Sequence, residues 1–141
     1  MAYDILPTGY ETQVQIDMGV SESVLPTAAI QSKAALAEIL IKKAVPAYTE
    51  LTGDELSLLQ SACIAQLCAL LCSSMPQRIK IAQADEVGYS FKLQAADWTA
   101  KKAEFEVLAS DLIFAATADD SDMGAYTPEI LGVVKNDRIK I

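Results

Sequence analysis

The sequence predicts a mainly α protein: a small bundle of three main helices, a β-hairpin between the second and third, and extended N- and C-terminal arms. Three observations carry this. From Pro26 onward apolar residues recur at mixed three- and four-residue spacing, the mark of a helix with one buried face. Between Ala62 and Cys72 only Gln66 is clearly polar. From Val87 to Leu93 the pattern changes to a period of two, which belongs to a strand. A chain of 141 residues fits one domain. If it is compact throughout, surface scaling buries roughly two-thirds of what the unfolded chain exposes, so a core needs no staples.

The expected organisation is an N-terminal arm over 1–25, a helical domain over 26–117 with its hairpin at about 78–94, and a C-terminal arm over 118–141. The first arm mixes Pro7, Gly9 and Gly19 with scattered apolar residues, and the alternation from Thr12 to Asp17 is compatible with a strand. Ala29, Ile30, Ala34, Leu36, Ile39, Leu40 and Val45 then define a helix of about four turns that Pro46 ends. Thr52 or Gly53 can cap a second helix over about 54–74, with Asp54 and Glu55 in its first turn, where the helix dipole favours negative charge. This helix is apolar on nearly every side and needs cover all round, from the same chain or from other copies. Ser73, Ser74 and Pro76 end it.

Ile79 and Ile81, followed by Val87, Tyr89, Phe91 and Leu93, read as the two strands of the hairpin. Two strands alone are marginal in water, so the hairpin must lean on a helix or join a partner's sheet. Asp97 then caps a third helix, whose Trp98, Phe105, Leu108, Leu112 and Ala115 lie near a seam. After Ala118 an acidic stretch leads to an apolar, β-rich terminus with Ile130, Leu131, Val133, Val134, Ile139 and Ile141. That terminus either folds back as an edge strand or docks on another subunit by adding a strand to a sheet edge.

Charge and composition exclude several function classes. The net charge is −8, and its distribution matters more than its sum. Residues 1–25 hold four acids (Asp4, Glu11, Asp17, Glu22) and no base, while the middle of the chain is nearly balanced. Without a basic cluster, binding to nucleic acid by counterion release is not expected, nor is attraction to an anionic membrane. The chain has no histidine, which removes the commonest general base, the commonest metal ligand and every Ser-His or Cys-His pair. Cys63, Cys68 and Cys72 fall in one apolar run, and core thiols are the expected role. A reactive thiol is the rival role, although no cation flanks these residues to stabilise a thiolate.

Asp85-Glu86 and the group Asp119, Asp120 and Asp122 are the candidate cation ligands. The second resembles half of a calcium loop, but the twelfth position counted from Asp119 is Ile130, with Glu129 beside it. No phosphate-binding glycine loop occurs. The sequence therefore points to no catalytic residue, cofactor or metal. No signal-peptide pattern opens the chain, and the apolar run around 62–72 falls short of the ~20 residues that span a bilayer, so the reduced cytoplasm is the default compartment.

A specific clue is an ordered set of residues. The apolar helix closes at Leu70-Leu71-Cys72-Ser73-Ser74-Met75-Pro76-Gln77-Arg78-Ile79-Lys80, followed by Val87-Gly88-Tyr89-Ser90-Phe91-Lys92-Leu93, then by Asp97-Trp98 opening the last helix. This order resembles the head-tail connector (adaptor) proteins of tailed bacteriophages and their prophage relatives, over about residues 20–117. The resemblance implies a structural virion protein of the neck, between capsid and tail, assembled in the host cytoplasm. It implies a homo-oligomeric ring, typically of about twelve copies, that sits under the portal protein and extends the DNA channel. Such a ring offers a platform to a stopper or tail-completion protein, and double-stranded DNA passes through it without specific binding.

On the same basis Tyr126, Ile130, Val133, Val134, Ile139 and Ile141 are expected to dock on the portal. From the residues themselves, Tyr89 and Phe91 share a face expected to pack on Trp98 or on the neighbouring subunit, and Arg78 can pair with a carboxylate of its own or a neighbouring chain, which makes Arg78, Tyr89, Phe91 and Trp98 the expected subunit interface. Gly88 and Tyr89 adjoin directly, where relatives often place an acid between the two. The alternative from composition alone is a cytoplasmic helical homo-oligomeric interaction module unrelated to phage. A small thiol- or cation-dependent enzyme built around the cysteine helix is the rival from another class.

Overall fold

A computed structural model describes residues 3–85 and 97–118. Among them are five helices and no strand: α1 (Tyr10–Met18), α2 (Thr27–Ala44), α3 (Gly53–Cys72), α4 (Met75–Asp85) and α5 (Trp98–Thr117), with a 3₁₀ turn at Tyr48–Glu50. The mainly α class stands, and two parts of the expected architecture do not. Residues 10–18 are helix rather than extended arm, and residues 75–85 are helix where the hairpin's first strand was expected. The Val87–Leu93 half of that hairpin lies outside the described residues, as does the C-terminal arm.

The reason for α1 is visible in its spacing. Tyr10, Val14 and Met18 are buried at four-residue intervals along one helical face, whereas Ile16, on which the strand-like alternation depended, is 65% exposed. Gly9 and Gly19 bound this helix in the left-handed region, with φ of 87° and 69°. At the C-terminal end the amide of Gly19 donates to the Ile16 carbonyl at 3.1 Å and that of Val20 to the Gln15 carbonyl at 3.0 Å, the paired bonds of a Schellman motif. The N-terminal segment thus belongs to the core, in which Ile5 and Leu6 are also buried.

α2 begins after Pro26, whose carbonyl accepts from the amides of Ala29 and Ile30. Glu22 adds a cap: its carboxylate accepts from the Thr27 amide and the Thr27 hydroxyl, each at 3.1 Å. Gln15 donates to the same carboxylate, and these bonds hold the Glu22 carboxyl below its ordinary range. The helix ends at Ala44, before Val45 and Pro46.

α3 is the centre of the bundle. Ala62, Cys63, Ile64, Ala65, Leu67 and Cys68 are buried on different sides of it, because α1, α2 and α5 all pack against it. Its length and a mean hydropathy of 1.6 are enough, by composition alone, to cross a membrane, yet neighbours from its own chain occupy those apolar sides. Cover from other copies is not what this helix needs.

Ser73 and Ser74 end α3 as expected, with both hydroxyls donating back to carbonyls of its last turn. Pro76 does the opposite of what its position suggests. It sits in the first turn of α4, where a missing N–H costs nothing. The Ser74 carbonyl accepts from the Arg78 amide at 3.1 Å, and Met75 and Ile79 are buried one turn apart. Asp97 caps α5 as its position predicts, its Oδ1 accepting from the Ala100 amide at 3.0 Å. The buried face of α5 is formed by Trp98, Ala109 and Ala116 with half-buried Phe105, Leu112 and Ile113, so the expected seam holds at Trp98, Phe105 and Leu112 but shifts off exposed Leu108.

Candidate interaction surfaces

The cysteines lie in the core. All three are buried and free. Loss of solvation pushes the Cys63 thiol up to about 12 and Cys72 up to about 11, and raises Cys68 as well. A nucleophilic thiolate requires a shift in the opposite direction. Among the described residues no three of His, Cys, Asp or Glu converge on a point that could hold a metal ion. Both candidate cation groups of the sequence fall largely beyond those residues.

One buried charge is well accounted for. Glu38, on the core face of α2, is 4% exposed. Its Oε2 accepts from the amides of Ile5 at 2.6 Å and Leu6 at 2.7 Å, and its Oε1 accepts from that of Asp4 at 3.3 Å. Lys42, one turn on, lies 3.5 Å from Oε1 and 2.6 Å from an Asp4 carboxylate oxygen. The lysine beside Asp4 holds that carboxyl below its ordinary value and is itself raised by the same bond. This arrangement staples the chain before α1 onto α2. All three amides are main-chain groups held in place, so the site is structural in character.

An open cleft of about 640 Å³ lies between α1, α3 and α5, with Thr8, Tyr10, Gln60, Ile64, Phe105 and Leu112 on its walls. Asp17 is the only charged wall residue among those described. Burial against this region raises the Tyr10 phenol to about 12. No acid–base pair converges here.

The outer surfaces of two helices are more informative. On α2, Leu36, Ile39 and Leu40 face solvent, Ile39 at 51%. On α5, Val107, Leu108 and Phe114 do so, Val107 at 60%. Both helices pack on α3 and make little contact with each other, and Leu108 also lines the cleft between α1, α3 and α5. The sequence pattern counts Leu36, Ile39 and Leu40 with Ile30 and Ala34 among the apolar residues that mark this helix, without separating its two faces. The buried face holds Ile30, Ala34, Ala37, Glu38 and Ile41, two alanines and an acid among them, while the bulkier Leu36, Ile39 and Leu40 lie outside.

Of the residues expected at a subunit interface, Arg78 is half-buried on α4, its Nε donating to the Ser74 hydroxyl at 3.0 Å. Trp98 lies in the chain's own core at the start of α5, with the Lys101 ammonium 5.7 Å from its ring centroid. Tyr89 and Phe91 lie outside the described residues. So do the expected portal-docking residues Tyr126, Ile130, Val133, Val134, Ile139 and Ile141. Comparison with protein-family models, with curated proteins and with solved structures finds no match to this chain.

Proposed function

We propose that this chain is a head-tail connector (adaptor) subunit of a tailed bacteriophage, a structural protein that assembles as a ring beneath the portal. The observation that carries the proposal is the pair of exposed apolar faces on α2 and α5, two helices that pack on a central helix and make little contact with each other. A subunit with two separate sticky faces is suited to head-to-tail association, and head-to-tail contacts close into rings when the rotation allows. The ordered residues at the end of α3 and the Asp97-Trp98 start of α5 support the connector class by resemblance. The helix at Met75–Asp85 takes the place of the hairpin's first strand, so the hairpin lends no support. An acidic surface suits a channel wall that lets DNA pass without holding it.

The test is native mass spectrometry of the purified chain, alone and mixed with the portal ring from the same source. Uptake of a full set of copies by the portal is the expected result, and deletion of 119–141 should abolish that uptake without loss of helical content. A bare portal beside a chain that forms a defined oligomer by itself overturns the connector role and favours a helical interaction module. Uptake that survives the deletion overturns the docking role of the C-terminal residues.

A further inference from the structure

The two exposed helix faces differ in charge. On α2, Lys33, Leu36, Leu40 and Lys43 follow at three- and four-residue spacing and lie along one exposed stripe. The only acid of α2 is Glu38, which points into the core, so nothing on that helix offsets the two lysines. On α5, Glu104, Val107, Leu108 and Asp111 form the corresponding stripe, with acids at both ends of an apolar pair. Lys101 stands three residues before Glu104 on the same side of α5, its ammonium 5.7 Å from the Trp98 ring centroid, so the stripe carries two acids against one base. Ion pairs among the described residues are those of Lys42 with Asp4 and Glu38, which leaves Lys33, Lys43, Glu104 and Asp111 unpaired among them.

We propose that the basic-apolar stripe of α2 in one copy docks on the acidic-apolar stripe of α5 in the next. Within a copy α2 and α5 each pack on α3 and make little contact with each other, so the two stripes do not pair there, and Leu108 stands at the cleft between α1, α3 and α5. Contact between two α2 stripes brings lysines together, and contact between two α5 stripes brings carboxylates together. Like charges therefore oppose both symmetric pairings and select the head-to-tail one. The stripes span roughly 15 Å on α2 and roughly 10 Å on α5 at the helical rise, a difference that flexible lysine side chains can bridge. This deepens the connector reading and rests on it for the closure of the contact into a ring.

The test is a charge-exchange cycle: K33E/K43E, E104K/D111K, their equimolar mixture, and the quadruple variant, each studied by native mass spectrometry and sedimentation, alone and with the portal ring. All four positions are exposed or half-buried on helix surfaces, and circular dichroism checks that each variant folds. Each double variant should weaken self-association by roughly tenfold or more, while the mixture and the quadruple variant should recover it. Double variants that associate like the unaltered chain overturn the proposal. So does recovery in the mixture without recovery in the quadruple variant, which is the signature of symmetric pairing. An unaltered chain that stays monomeric both alone and on the portal also overturns it. If the cycle behaves as expected in the free chain while the portal stays bare, the docking surface stands and the connector role fails.

Discussion

Replacing Glu38 with alanine should be among the most damaging single changes this fold can suffer, although the residue is an acid among leucines and alanines. The carboxylate is the acceptor for the buried amides of Ile5 and Leu6 at 2.6 and 2.7 Å, and for the half-buried amide of Asp4 at 3.3 Å. Alanine leaves the first two donors without partners, at a cost of about 1–3 kcal/mol each. The chain can avoid that cost only by undocking the segment, which exposes Ile5 and Leu6 and forfeits roughly 1.5–3 kcal/mol of apolar burial for each. Either route costs about 4 kcal/mol, a large part of the 5–15 kcal/mol that holds a typical domain folded. Urea denaturation followed by circular dichroism measures the loss. At an m-value of about 1.5 kcal/mol/M the midpoint should fall by about 2–3 M. The E38Q variant keeps the acceptor and loses only the charge, so its loss should be about half as large. Hydrogen exchange at Ile5 and Leu6 shows which route the chain takes. An E38A midpoint within about 0.3 M of the unaltered chain refutes the reasoning, since it means the three bonds carry no net stability.

Three further expectations follow from the same structure. The thiols should resist a disulfide reagent in the native state at neutral pH and react together once urea unfolds the chain. Because burial raises Cys63 to about 12, Cys72 to about 11 and Tyr10 to about 12, the folded state resists their ionisation more than the unfolded state does. Their contribution is complete below the unfolded values of 9.0 for cysteine and 10.0 for tyrosine and is lost as pH rises through the folded values, so stability should fall on the alkaline side. Rapid native alkylation near pH 8, or flat stability between pH 8 and 11, contradicts this. At the helix ends, D97A should remove the cap on α5 and cost about 1 kcal/mol by thermal or urea unfolding, and an unchanged midpoint would mean that another acceptor serves the Ala100 amide.

The helical core was largely legible in the sequence. The spans of α2 and α3, the Asp97 cap, the buried cysteines and the Trp98-Phe105-Leu112 side of α5 all follow from local rules of periodicity and capping. Short segments with two competing readings were not. Thr12–Asp17 and Ile79–Ile81 alternate over too few residues to outweigh helical spacing that extends past them, at Tyr10–Val14–Met18 and Met75–Ile79. Pro76 is equally at home after one helix or in the first turn of the next, and only the Ser74–Arg78 bond distinguishes the two.

The sequence by itself determined that the chain is mainly helical, that α3 is apolar on all sides, and that no histidine chemistry is available. Tertiary structure alone decided what covers α3 and which face of α2 is left outside. Both depend on contacts between residues far apart in the chain. Glu38 reads as a solvent-facing acid until the backbone amides of Asp4, Ile5 and Leu6, more than thirty positions away, arrive to satisfy it. Once they do, the acid turns inward, the face carrying Leu36, Ile39 and Leu40 turns outward, and the molecule acquires an exposed apolar surface that periodicity alone does not locate.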